Sequence, residues 1–277
     1  MFKKNAMKLI GFLEYGGFGA LVSRRLLITY LAEKYGRSAV IVYRNCLYDD
    51  PYTSEHTIPE GTEIVPFTYS KDQDDKYAFF DFDYYWNNDL KFREFGSFDT
   101  EFDYIEKGET LSKITLKDSY KDIVSDMVSK FPQISDSIAV QIRRGDKTDE
   151  TPYVPYQAYV DHCKDIRAEH GISSVFLTSD SLSALLEVKE LLKEEGFNCF
   201  FDEEEHRYDN ANHRMVQGNP TLKVQESLTG TKIIYFMSKA QHILGQKNTH
   251  FTQLAAMLQA YRTQSIDGFT LITPPEK

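Results

Sequence analysis

Two adjacent arginines follow an apolar run in the heptapeptide Gln141-Ile142-Arg143-Arg144-Gly145-Asp146-Lys147. Residues 137–142 read as a buried β-strand, so Arg143 and Arg144 leave its carboxyl end. That is the edge at which open parallel α/β sheets bind ligands. A guanidinium there can grip a pyrophosphate with paired hydrogen bonds. Successive residues of an extended chain point in opposite directions. One arginine therefore faces a cleft and the other pins the loop. Gly145 permits a sharp turn, and Asp146 is placed to hold one of the arginines. The competing reading of these seven residues is a salt-bridged turn on the surface.

Three further segments place polar groups where a strand meets a helix. In Val175-Phe176-Leu177-Thr178-Ser179-Asp180-Ser181, Asp180 can cap the following helix, orient an arginine or bind a sugar hydroxyl. The loop Gly16-Gly17-Phe18-Gly19 presents backbone N–H groups to an anion at a helix N-terminus, or is simply a tight turn. It lacks the third glycine of the dinucleotide fingerprint, and Tyr43 and Arg44 stand where that fingerprint closes its second strand with an acid. Both facts count against a nicotinamide-binding enzyme. In Gly245-Gln246-Lys247-Asn248-Thr249-His250, Asn248 or Thr249 can cap a helix, and the free N–H groups there can meet a phosphate.

Other chemistries find little support. His206 follows Glu203-Glu204-Glu205 and His213 precedes Arg214, but neither makes a metal-binding HxxxH or HExxH. The acidic run 202–205 reads as a solvated loop. No GxSxG elbow is present for serine hydrolysis.

The elements that must position these groups alternate regularly. Residues 7–13 and 39–43 read as strands about a helix over 20–35, an opening βαβ unit. Residues 44–115 read as an irregular region packed by large side chains, with short strands at 63–67 and 77–85. Its aromatics, Trp86 among them, have a second reading as the lining of an acceptor cleft. A helix over 118–131 stops at Pro132. Strands at 137–142, 174–178, 197–201 and 241–245 then alternate with helices at 155–170, 181–195, 222–239 (broken near Gly230) and 249–262. Such βα repeats build a parallel sheet with right-handed crossovers. The expected organisation is two α/β halves, 1–130 and 131–277.

The whole chain is compatible with this. Its 277 residues suffice for one large or two small domains. A net charge of −10 argues against a general nucleic-acid or anionic-membrane binder, though a local basic pocket remains compatible. Cys46, Cys163 and Cys199 are odd in number and far apart, which predicts free thiols in a reducing, cytoplasmic setting. No apolar run reaches transmembrane length.

Taken together, these segments resemble the α1,6-fucosyltransferase family and its α1,2- and protein O-fucosyltransferase relatives. Residues 141–147 look like that family's His-Val-Arg-Arg-x-Asp-Lys. Val175–Asp180 with Leu185, Glu187 and Lys189 looks like its second motif, and Asn212-His213-Arg214 with 234–250 looks like its third. The similarity covers most of 135–262 and only thinly the N-terminal half, where the glycine loop looks like the family's first donor-side loop.

The resemblance implies an α/β, GT-B-like fold of two facing Rossmann-like domains with mainly parallel sheets. It implies inverting, metal-independent and cofactor-free transfer of fucose from GDP-fucose to a glycan hydroxyl. The N-terminal half would be the acceptor side, with its glycine loop, and the C-terminal half the donor side. By the same match Arg143, Lys147 and Glu150 are catalytic, with Glu150 the base. Gly16, Gly17, Gly19, Arg143, Arg144, Asp146, Tyr159, Asp180, Arg214, Thr249 and His250 attend the donor. The chain resembles a minimal, unanchored version of the family's catalytic core. Gln141 replaces the family's histidine, and Ile233 and Gln241 replace acidic residues, which leaves the donor's base and sugar open. A non-catalytic nucleotide-sugar-binding protein on the same fold, or a transferase of another sugar, is the alternative.

Overall fold

A computed structural model of the chain describes residues 8–13, 17–34, 36–43, 48–53, 64–66, 77–80, 101–144, 152–205, 207 and 219–275. Among them run β1 (Lys8–Leu13), α1 (Phe18–Lys34), β2 (Ser38–Tyr43), β3 (Ile64–Pro66), β4 (Tyr77–Phe80), α2 (Glu101–Lys113) and α3 (Asp118–Lys130). A 3₁₀ turn at Pro132–Asp136 leads to β5 (Ser137–Ile142), α4 (Tyr156–His170), β6 (Ser174–Ser179), α5 (Leu182–Glu194) and β7 (Asn198–Phe200). The chain continues through α6 (Pro220–Met237), β8 (His242–Gln246), α7 (His250–Thr263) and β9 (Phe269–Ile272).

The strands form two separate parallel sheets, ordered β2-β1-β4-β3 and β7-β6-β5-β8-β9. β5 is central in the second and buried at all six positions, as a mostly apolar strand covered on both faces should be. One face packs Ile138, Val140 and Ile142 against α4 and α5. The other packs Ala139 beside Phe236, Met237 and Ala255 of α6 and α7.

Local sequence fixes the helix ends. Asn219 accepts from the backbone N–H groups of Thr221 and Leu222 to cap α6, with Pro220 at its first position. Gly171, in the left-handed region at φ 73°, ends α4.

A third core joins the two sheets. α1 contributes Phe18, Leu21, Leu27 and Leu31, and α6 and α7 contribute Ile234, Leu254 and Met257. α1 is buried on most of its circumference because it meets helices of the second sheet as well as its own strands. Buried Arg25 of α1 pairs with Asp50 and lies over the Tyr52 ring, tying residues 48–53 to this helix.

Several expectations are corrected. Gly230 does not break its helix: α6 is continuous, and a Cβ at Gly230 would stand 2.3 Å from the Phe18 ring. The glycine is there for close approach of α1. Part of the supposedly irregular 44–115 segment is helix α2, which packs on α7 through Gly108. A Cβ at Gly108 would stand 2.0 Å from the carbonyl oxygen of Met257. β9 adds a strand after the last expected helix. The 81–85 part of the expected strand at 77–85, and Trp86, lie outside the described residues. Among the described residues no helix is long and apolar enough to cross a membrane.

Candidate functional site

The register of the second sheet assembles the site. Gln141 pairs with Thr178 and Ile142 with Ser179, so Arg143 and Asp180 follow side by side. Asp180 Oδ2 accepts from Arg143 Nη1, and Oδ1 accepts from the backbone N–H of Arg144 at 2.8 Å. The Arg143 and Asp180 side chains are 18% and 19% exposed, so the guanidinium is anchored yet reachable. Asp180 does not cap α5. Ser181 does, accepting from the Ala184 N–H at 3.4 Å.

Arg144 turns the other way and is buried. It donates to the carbonyls of Arg143 and Val154, at 2.9 and 3.0 Å. Its guanidinium lies 4.8 Å from the ring centre of Tyr153 and 4.2 Å from that of Tyr156. Arg143 is thus the more exposed of the two arginines and Arg144 the loop anchor. Tyr159 lies fully buried beside them. Burial raises its hydroxyl to about 12, against the pull of the Arg144 charge. It packs in the core with Ile142, Val154 and Leu177 rather than on an open surface.

On the same sheet edge, α7 begins without a side-chain cap. Thr249 occupies the capping position but makes no capping bond. Its buried Oγ1 has no hydrogen-bond partner among the described residues. Asn248 Oδ1 accepts instead from Gln246 Nε2 at 2.8 Å. The start of α7 is also the positive end of its dipole, which favours an anion. Gln141 Oε1 accepts from Thr252 Oγ1 at 3.2 Å. Gly245 makes room for that threonine, because a Cβ there would stand 2.4 Å from Thr252 Oγ1.

The start of α1 abuts the start of α7. A Cβ on Gly19 would stand 2.9 Å from both His250 Cβ and Phe251 Cδ2, whereas one on Gly17 would meet nothing within 4 Å among the described residues. Ser23 Oγ meets His250 Nδ1 at 2.9 Å. Gly19 is therefore demanded by helix–helix contact, and Gly17 is not crowded by any described residue.

The acidic run is not wholly solvated, contrary to expectation. Glu203 and Glu204 are exposed, but Asp202 and Glu205 are buried. Asp202 pairs with Lys232 at 2.6 Å and Lys130 at 3.0 Å. Burial alone would raise its carboxyl, but these hydrogen bonds hold it below the usual range. Glu205 accepts from Thr178 Oγ1 at 3.2 Å and pairs with Arg207 at 3.3 Å. Complete burial raises it to about 7 despite Arg207 and Lys232.

Of the expected site residues, Arg143, Arg144, Tyr159 and Asp180 form one cluster. Gly19, Thr249 and His250 form a second, where the starts of α1 and α7 meet. Gly16, Asp146, Lys147, Glu150 and Arg214 lie outside the described residues. Ser23, Tyr153, Tyr156 and Glu205 were not singled out from sequence. Ser23 sits mid-helix with no local signal. The two tyrosines flanking Val154-Pro155 could have been matched to the second arginine. Among the described residues no group of three His, Cys, Asp or Glu side chains could hold a metal ion.

No family model and no curated protein matches the sequence. Solved structures do match in fold. Fucosyltransferase NodZ from Bradyrhizobium is similar with a TM-score of 0.55 at 13% identity, over 91% of this chain and 93% of that one. NodZ alpha-1,6-fucosyltransferase co-crystallised with GDP gives 0.53 at 15%, over 91% and 92%. POFUT1 in complex with GDP-fucose gives 0.53 at 12%, over 100% and 99%. At such identities the likeness is one of fold. The chain has the GT-B-like α/β architecture, with two Rossmann-like parts and parallel sheets.

Proposed function

We propose that the chain is an inverting, metal-independent glycosyltransferase that moves fucose from GDP-fucose to a glycan hydroxyl. The observation that carries this reading is Arg143. It is held by Asp180 at the carboxyl end of the central strand, on the same sheet edge as the uncapped start of α7. The fold is shared with fucosyltransferase structures solved with GDP and GDP-fucose.

In this account the donor diphosphate lies against Arg143 and the α7 N-terminus, with the α1 start alongside. The acceptor oxygen attacks the anomeric carbon from the face opposite the diphosphate. The bond from that carbon to the phosphate oxygen breaks, inverting the centre. Glu150 takes the acceptor proton. Arg143 and the helix dipole stabilise the charge that grows on the leaving GDP, which is where preorganised positive groups lower the barrier most. Asp146, Lys147 and Arg214 complete the donor side. Residues 131–277 are assigned to the donor and 1–130 chiefly to the acceptor, though α1 reaches the donor edge.

Gln141 favours a second donor reading. Its oxygen is engaged by Thr252, and a transferase with another nucleotide sugar uses the same arginine site. Turnover measured over a panel of nucleotide sugars, with and without glycan acceptors, separates the two. GDP-fucose should be consumed fastest, and faster with acceptor. Glu150→Gln should lower turnover about 10²–10⁴-fold, the usual worth of general-base catalysis, with donor affinity unchanged. Donor binding with no turnover for any sugar would instead identify a non-catalytic nucleotide-sugar-binding protein.

A further inference from the structure

Ser23 belongs to α1, yet its hydroxyl serves the second sheet. It is buried, 4% exposed, and meets His250 Nδ1 at 2.9 Å. His250 opens α7 and is half-buried. Two neighbours hold the helix starts at this spacing. Gly19, one turn before Ser23, leaves no gap to His250 Cβ. The rings of Phe18 and Phe251 lie 6.2 Å apart on the same seam.

We propose that Ser23 is a positioning residue that fixes the rotamer and tautomer of the His250 imidazole, so that the anion-binding edge is completed by a side chain from the other half of the molecule. The chemistry follows from the hydroxyl. A neutral imidazole carries its proton on one nitrogen and a lone pair on the other. A serine hydroxyl can donate to a bare Nδ1, which leaves the proton on Nε2, the form able to hydrogen-bond a phosphate oxygen. A carboxylate in Ser23's place would accept only, and would draw the proton to Nδ1. The hydroxyl thus supports a neutral, donor-competent ring at a helix N-terminus, where an imidazolium would meet the positive end of the dipole.

The ligand half of this inference rests on the proposed donor binding; the pairing of Ser23 with His250 does not. Three variants test it: Ser23→Ala, Ser23→Thr and the double variant Ser23→Ala/His250→Ala. The probes are GDP titration, the imidazole ¹⁵N shifts of His250 and a melting curve. Wild type should show the Nε2–H signature. Ser23→Ala should shift that signature toward mixed tautomers and weaken GDP binding about tenfold, the effect of one hydrogen bond to a charged group. Ser23→Thr, which keeps the hydroxyl, should restore both. In the His250→Ala background, Ser23→Ala should cost no further affinity, because the two act as one unit. A lowered melting temperature with unchanged ¹⁵N shifts and unchanged GDP affinity would overturn the proposal and leave Ser23 a packing residue. Should wild type bind no GDP, the donor reading falls. The positioning role is then decided by the ¹⁵N shifts alone, sustained if Ser23→Ala alters them and ended if it does not.

Discussion

Asp180 holds the Arg143 guanidinium on one carboxylate oxygen and takes the backbone N–H of Arg144 on the other, at 2.8 Å. One side chain therefore fixes both the reachable cation and the backbone that carries it. Asp180→Asn keeps the shape and one acceptor but loses the charge. GDP affinity should fall by up to about tenfold, or roughly 1.4 kcal/mol. Stability should change little, since partly exposed ion pairs contribute only about 0–1 kcal/mol. Calorimetric titration beside a melting curve measures both. Unchanged affinity would mean that Arg143 keeps its place without Asp180.

The two glycines at the start of α1 should respond differently to the same change. Gly19→Ala forces a Cβ into His250 and Phe251, so α7 must shift. Overpacking of this kind costs about 1–3 kcal/mol, and GDP binding should weaken with it. Gly17→Ala meets nothing within 4 Å among the described residues. It should cost under about 1 kcal/mol, the mild preference of a helix cap for glycine over alanine. Equal melting temperatures for the two variants would contradict the tight seam between the helices.

Glu205 gives stability a falling limb as pH rises. Burial raises its carboxyl from 4.5 to about 7, so the folded chain keeps a proton that the unfolded chain has released. Its contribution is fully present below pH 4.5 and is lost as pH rises through about 7. Glu205→Gln, uncharged at every pH, should flatten that limb in a series of melting curves. An unaltered limb would show that Glu205 stays ionised in the fold, paired with Arg207.

His242 acts in the opposite sense. Burial lowers its imidazole from 6.5 to about 4, helped by the neighbouring His170 ring, and its Nε2 meets Thr270 Oγ1 at 2.9 Å. The folded chain therefore resists protonation. The contribution is complete above pH 6.5 and lost as pH falls through about 4. His242→Gln should reduce the acid sensitivity of the melting temperature, while wild type declines across that window. Equal acid sensitivity in the two would assign the effect to other groups.

What was legible in the sequence followed from period and burial. The second sheet's strands are short, mostly apolar runs ending in polar residues, so the chain announces both the parallel sheet and the polar edge at its carboxyl end. The opposed roles of Arg143 and Arg144 follow from the alternation of an extended backbone. Helix α2 was hidden because it packs on α7 through Gly108, where backbone approach replaces an apolar stripe. Gly230 misled for the same reason. Glu205 looked solvated because its partners, Thr178 and Arg207, lie on a neighbouring strand and beyond the acidic run. Ser23 carried no signal, since its partner lies 227 residues away.

The account depends most directly on Arg143, and GDP titration of wild type, Arg143→Ala and Arg143→Lys measures its role. If the guanidinium grips the diphosphate, alanine removes hydrogen bonds worth roughly 1.5–3 kcal/mol each, and affinity should fall about tenfold or more. Lysine should recover only part, because a point charge cannot make the bidentate contact. Melting temperatures should stay close to wild type, since the Arg143–Asp180 pair is partly exposed. A clear loss of melting temperature with GDP affinity unchanged would contradict the account and make Arg143 a structural pin of the β5–β6 edge.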